Sequence, residues 1–234
     1  MMRIAQPLLR SAMMIALVGG TASAQSPAIS FGGMLGVNAA RVSDLDLGSA
    51  DLFNGTASIA NRIGVDVGGY VNVHLGGILS LQPELHYTQK GTTLDFGGVG
   101  QAAGSLKIKL DYIEVPLLVR VDFGHAKWRP FVTAGPTLAL RSSCKTAIES
   151  GGTSLSVDCK DLDSGSDDPD LFTKTDIGGS IGGGVAGTLG MVQTGFQVRY
   201  SRGFKTIVKD TDPSSDQRPK NSVLSFLVSV GFGR

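Results

Sequence analysis

The stretch VQTGFQVRYS, residues 192–201, alternates without a break. Val192, Thr194, Phe196, Val198 and Tyr200 fall on one side of an extended chain, and Gln193, Gly195, Gln197, Arg199 and Ser201 on the other. A helix would scatter both sets around its circumference, so the period predicts a β-strand. The next run repeats the pattern. Leu224, Phe226, Val228, Val230 and Phe232 oppose Val223, Ser225, Leu227, Ser229 and Gly231.

Working back along the chain, the same alternation predicts six more strands. Ile29 to Asn38, Ile63 to His74 and Leu79 to Thr88 each set branched or aromatic residues against Gly, Ser, Asn, Gln, His and acids. Ile113, Val115, Leu117, Val119 and Val121 oppose Glu114, Pro116, Leu118, Arg120 and Asp122. Upstream of Tyr112 the phase flips, with Lys107, Lys109 and Asp111 set against Leu106, Ile108, Leu110 and Tyr112, which predicts a β-bulge near Tyr112. Arg129 to Leu140 and Asp176 to Ala186 are the weaker runs, one interrupted by prolines and the other by glycines.

Charges recur on the less apolar face: Asp66, Glu84, Glu114, Arg120, Asp122 and Arg199, with His86 beside Glu84. In a soluble sandwich such a face would meet water. In a membrane barrel it lines a narrow interior where acids and bases pair, while the apolar face meets lipid. The connections decide between the two. Leu75–Gly77, Gly124–Lys127 and Gly187–Gly190 are short, whereas Arg41–Arg62, Gly91–Ser105, Arg141–Lys174 and Gly203–Asn221 are long and polar. Short turns at one end and long loops at the other are the layout of an outer-membrane barrel. The expected fold is therefore all-β: an eight-stranded antiparallel up-and-down transmembrane β-barrel with short periplasmic turns, long extracellular loops and a lumen filled by side chains.

The first residues agree with export. Arg3 and Arg10 precede an uncharged segment, Ser11 to Gly20, and then Thr21-Ala22-Ser23-Ala24, the pattern of a signal peptide cleaved after Ala24. That leaves 25–234 as the barrel domain. The leader holds two arginines and no acid, so 21 − 2 = 19 basic side chains remain against 20 acidic ones. So balanced a charge provides no basic field for nucleic acid. Cys144 and Cys159 are the two cysteines, and in an exported chain they are expected to form a disulfide in the Arg141–Lys174 loop.

Several phrases resemble a known family. SLQPELHYTQKG (80–91), LDYIEVPLLVR (110–120), RPFVTAGPTLAL (129–140), DIGGSIGGG (176–184) and RYSRG (199–203) are similar to the PorT-like family of small outer-membrane β-barrel proteins. The resemblance runs over nearly all of 25–234. It implies an eight-stranded barrel in the outer membrane of a Gram-negative-type bacterium, and it carries no shared catalytic apparatus.

Other motifs reduce to simpler readings. Gly182, Gly184 and Gly187 spell G-x-G-x-x-G, but another alternating strand follows where a dinucleotide fold needs a helix. Asp158, Asp161, Asp163, Asp167, Asp168 and Asp170 crowd one loop without the spacing of an EF-hand, so a solvated acidic loop is expected there. Tyr87, Tyr112, Phe123, Trp128 and Tyr200 stand near strand ends, where interfacial aromatic belts form. No catalytic, cofactor or metal residue is expected. The expected role is non-enzymatic: a barrel anchored in lipid, presenting loops for binding or stabilising the envelope, with Arg141–Lys174 facing an unidentified extracellular or envelope partner. A narrow porin-like channel is the alternative, and a soluble periplasmic ligand-binding barrel a further one.

Overall fold

Nine strands account for most of the chain: β1 (Ile29–Ser43), β2 (Thr56–Gly76), β3 (Leu79–Gly97), β4 (Gly104–Asp122), β5 (Trp128–Ser150), β6 (Thr153–Asp158), β7 (Thr175–Leu189), β8 (Val192–Gly203) and β9 (Lys220–Gly233). The computed structural model describes residues 28–43, 56–97, 104–124, 126–151, 153–161, 173–205 and 220–233. The expected leader (1–24), His125, and Asp163, Asp167, Asp168 and Asp170 lie outside the described residues.

The sheet order is β4-β3-β2-β1-β9-β8-β7-β5-β6, and a further β4–β5 pairing closes it into a ring. Strand β6 pairs with β5 and stands outside the ring, which leaves 9 − 1 = 8 strands in the wall, every pairing antiparallel. Closure removes the sheet edges, as a lipid-spanning sheet requires. Three tight connections share one end. Gly77 and Gly190 take positive φ there (59° and 65°), which lets two of the reversals be made in two residues.

The wall is inside out relative to a soluble protein. Phe31, Leu35, Ile63, Leu85, Ile181 and Val228 are exposed on the outer face, each more than half accessible, while Asp66, Gln82, Glu84, His86, Gln197 and Arg199 are buried inside. A continuous exposed apolar surface of this kind would aggregate in water and is matched by hydrocarbon in a bilayer. Two small apolar clusters, Met34–Tyr70–Leu227 and Leu110–Tyr112–Ala139, also lie in the interior.

Four expectations need correction. The strands run on beyond the apolar band, so the long links are shorter than the sequence suggested: β1 reaches Ser43, β2 starts at Thr56, β3 reaches Gly97 and β4 starts at Gly104. The first part of the Arg141–Lys174 segment is a hairpin, with the end of β5 returning as β6 and a short 3-10 turn, Cys159–Asp161. The bulge sits on the neighbouring strand. Tyr112 pairs with Arg141 and Asp111 with Ser143, so Ser142 is the extra residue, while β4 stays in register with β3 throughout. Leu110, Tyr112 and Glu114 all face inward. The phase flip is chemical: β4 leaves the lipid near Ile113, and above it the outward positions become Asp111, Lys109 and Lys107. Finally, Tyr112 is buried in the lumen and takes no part in an aromatic belt, whereas Phe123, Trp128 and Tyr200 are exposed on the outer surface.

Candidate functional site

The side chains that could do chemistry converge on the lumen, and period two explains how. On β3, Ser80, Gln82, Glu84, His86, Thr88 and Lys90 succeed one another on the inner face. Glu84 is the hub. Its Oε2 accepts from Arg199 Nη1 (2.6 Å) and its Oε1 from Arg199 Nη2 (2.8 Å), a bidentate pair. Gln82 Nε2 donates to Oε1 at 2.7 Å. His86 Nε2 lies 2.8 Å from Glu84 Oε2 without hydrogen-bond alignment, and the other ring nitrogen, Nδ1, is 2.6 Å from Asp66 Oδ1. Ser225 Oγ donates to Asp66 Oδ2 at 3.3 Å.

The network continues toward the short-turn end. Arg120 donates through Nε and Nη2 to Asp122 (3.0 and 2.7 Å) and through Nη1 to Gln82 (3.4 Å), and its guanidinium stacks 3.7 Å from the centre of the Phe131 ring. On the far wall, Arg199 Nη2 donates to Gln197 Oε1 (3.0 Å), and Gln197 Nε2 donates to Thr133 Oγ1 (2.7 Å). Toward the outer end, Lys90 pairs with Glu114 and lies 5.2 Å from the centre of the Tyr112 ring. Asn221 Nδ2 donates to Tyr112 Oη at 3.4 Å.

All seven charged residues read from the sequence as facing one side (Asp66, Glu84, His86, Glu114, Arg120, Asp122 and Arg199) are buried. Six of them belong to the lower network, and Glu114 joins a separate upper pair with Lys90. Lys90 was missed, although it continues the Ser80–Thr88 face by simple alternation. Gln82, Gln197 and Asn221 are not marked out by the sequence, because neutral amides carry no signal beyond their place on a face. Glycines make room for the network. A Cβ on Gly184 would sit 2.8 Å from the Phe131 ring, and one on Gly182 would sit 2.7 Å from Gln197 Nε2. Gly182 and Gly184 are thus places where the lumen is packed to the backbone, whereas Gly187 lies against the outer-surface Trp128 ring, which a Cβ there would meet at 2.6 Å.

Two openings flank this core. At the short-turn end, Ser30, Asn72, His74, Arg120, Asp122 and Arg129 help to line a polar vestibule of about 320 Å³. Its inner wall includes the Arg120–Asp122 pair, and His74 Nδ1 is 2.8 Å from Ser80 Oγ. At the outer end, the β5–β6 hairpin is fastened to itself. Cys144 and Cys159 form a disulfide across a Cα–Cα distance of 5.5 Å. Beside it lies a cleft of about 310 Å³ lined by Arg141, Ser142, Ser143, Asp158 and Lys174. Lys107 Nζ, on the outer face of β4, donates to Glu149 Oε2 at 2.6 Å and holds that carboxyl below the usual carboxylate range.

Among solved structures, the chain is similar to Neisserial surface protein A (15% identity, TM-score 0.42, covering 86% of this chain and 96% of that one). It is also similar to the outer membrane protein OprG from Pseudomonas aeruginosa (11%, TM-score 0.48, 89% and 96%). A third is Ail, the attachment invasion locus protein of Yersinia pestis, solved in complex with the heparin analogue sucrose octasulfate (12%, TM-score 0.39, 87% and 99%). No curated protein matches the sequence. The outer membrane protein beta-barrel domain family matches residues 23–209, the greater part of the sequence. With its ring of strands, inverted faces and this match, the chain belongs to the outer membrane protein beta-barrel domain family.

Proposed function

We propose that this protein is a non-enzymatic wall protein of the outer membrane whose lumen is braced shut and whose outer hairpin is its contact surface. The observation that carries the reading is the Glu84–Arg199 pair. Strands β3 and β8 lie four places apart in either direction around the ring, so the pair reaches across the full width of the lumen. The Tyr112–Asn221 contact between β4 and β9 is a second brace of the same span. An eight-stranded ring has an interior only wide enough to be filled by side chains, and two such braces suit a plug better than a conduit.

On this reading residues 1–24 are a leader removed on export, and the PorT-like resemblance describes the subgroup. The stapled hairpin projects beyond the lipid on a rigid wall, the usual setting for a binding surface. The deciding experiment is planar-bilayer recording of the refolded protein. A closed barrel leaves the current at baseline over a full voltage ramp. Reproducible unitary steps from the folded wild type would instead establish a channel and overturn the proposal.

A further inference from the structure

The outer rim is chemically lopsided, and its shorter side carries an unusual row. Register pairs set Ala39 (β1), Leu224 (β9), Tyr200 (β8) and Ile181 (β7) side by side on the lipid face. Leu224, Tyr200 and Ile181 are exposed there. One step outward on the same face, the row becomes Arg41, Ser222, Arg202 and Gly179. Lys220 follows two residues beyond Ser222, and Tyr200 Oη donates to Ser222 Oγ at 3.4 Å.

Height places this row at the membrane surface. Arg202 lies 202 − 190 = 12 residues beyond the Gly190 turn. At ~3.3 Å per residue and a tilt of ~40–45°, that is roughly 28–30 Å, just past an apolar band ~25 Å tall. The exposed Phe204 stands on the same side. Cations directly above an aromatic and aliphatic boundary are therefore at headgroup depth.

The strands of this side are also one-signed. Strands β1, β8 and β9 contain no Asp or Glu, and the one acid of β7, Asp176, faces the lumen. The opposite side differs. There β4 presents Asp111 above Ile113, and Lys107 is engaged by Glu149. Arg202 and Lys220 also hold contacts within the chain, so a ligand here would add to an existing arrangement.

We infer that this side of the rim binds the phosphorylated headgroup of an outer-leaflet glycolipid, with Arg41 and Arg202 on the phosphate and Ser222 between them as a hydroxyl partner. The inference rests on the outer-membrane location and is independent of the hairpin's role. A guanidinium fork suits a phosphate geometrically, and the acyl chains of such a lipid would lie along Leu224, Tyr200 and Ile181 below.

The test uses full-length protein extracted from outer membranes in mild detergent, with co-purifying lipid A counted by mass spectrometry. A cation near a charged membrane surface contributes on the order of fivefold, so R41Q/R202Q should retain about 30-fold less lipid A. K107Q/K109Q on the opposite side should retain the wild-type amount, and R41K/R202K should recover part of the loss. Each variant must still shift on boiling in a gel, which separates lost binding from lost folding. In a second arm, protein is refolded into phosphatidylcholine vesicles containing diphosphoryl lipid A, lipid A stripped of phosphate, or phosphatidylglycerol at equal charge. Stabilisation by the first alone supports the inference. Equal stabilisation by phosphatidylglycerol, or folded R41Q/R202Q that keeps its lipid A, overturns it.

Discussion

Replacing Glu84 by glutamine removes one charge and almost no volume, which makes it the sharpest probe of the lumen. In the wild type Glu84 accepts two hydrogen bonds from Arg199 and one from Gln82, and faces His86 Nε2 at 2.8 Å. Arg199 has little else: Nη2 reaches Gln197 at 3.0 Å, and Nε is buried without a hydrogen-bond partner. Breaking a buried pair and stranding one charge costs ~3–5 kcal/mol. The amide oxygen introduced by E84Q would still accept one bond, so about 3 kcal/mol is expected for that variant. R199Q should cost less, about 2 kcal/mol, because Glu84 keeps His86 opposite it. The double variant strands neither partner of the pair, and its loss should fall short of the sum by at least ~1.5 kcal/mol. Equilibrium urea unfolding in lipid vesicles measures all four proteins, with the sole tryptophan, Trp128, as reporter at the rim. Additivity within ~0.5 kcal/mol would show that the two residues are not coupled and would refute the brace.

Three further outcomes are expected. G184A should lower the urea midpoint by the equivalent of ~1–3 kcal/mol, because its Cβ would press on the Phe131 ring and on Gln197, while outward-facing G183A, with 3.6 Å to its nearest atom, should be neutral or slightly stabilising. Serine at both Cys144 and Cys159 should release a loop closed over 15 residues, a local change of ~3 kcal/mol by loop-closure entropy; protease should then cut the hairpin while the heat-shifted barrel band persists. Glu149 is depressed by its bond from Lys107, so whatever that contact adds is present above the carboxyl's unfolded-state value and fades as pH falls through the lower folded one. Its carboxyl titration by NMR should have a midpoint below that of an isolated glutamate, and K107Q should raise that midpoint.

The faces of the strands were legible in the sequence because a lipid-facing wall enforces strict alternation. Val192 to Ser201 and Val223 to Phe232 sit as their pattern predicts, and Arg199, the one charged residue on their inner faces, is buried. Alternation stops carrying polarity once a strand leaves the bilayer. Lys107, Lys109 and Asp111 continue the outer face of β4 into water, so the polarity reversal mimicked a bulge, while the true extra residue, Ser142, sits in a polar run with no contrast to mark it. For the same reason the outer halves of β3 and β5 read as loop. Contacts across the lumen were beyond reach of any local pattern. Glu84 and Arg199 are 115 residues apart, and only closure of the ring makes them neighbours.

The uneven height of the wall has a consequence of its own. Strands β2 to β5 carry their pairing up to Thr56, Gly97, Gly104 and Ser150, whereas β1, β8 and β9 stop at Ser43, Gly203 and Lys220. A plain cylinder looks the same from every bearing in the plane of the membrane. This one has a high back and a low front, so a molecule diffusing in the outer leaflet meets two different objects depending on its direction of approach. In the plane of the membrane, what a neighbour touches therefore depends on compass heading as well as on distance.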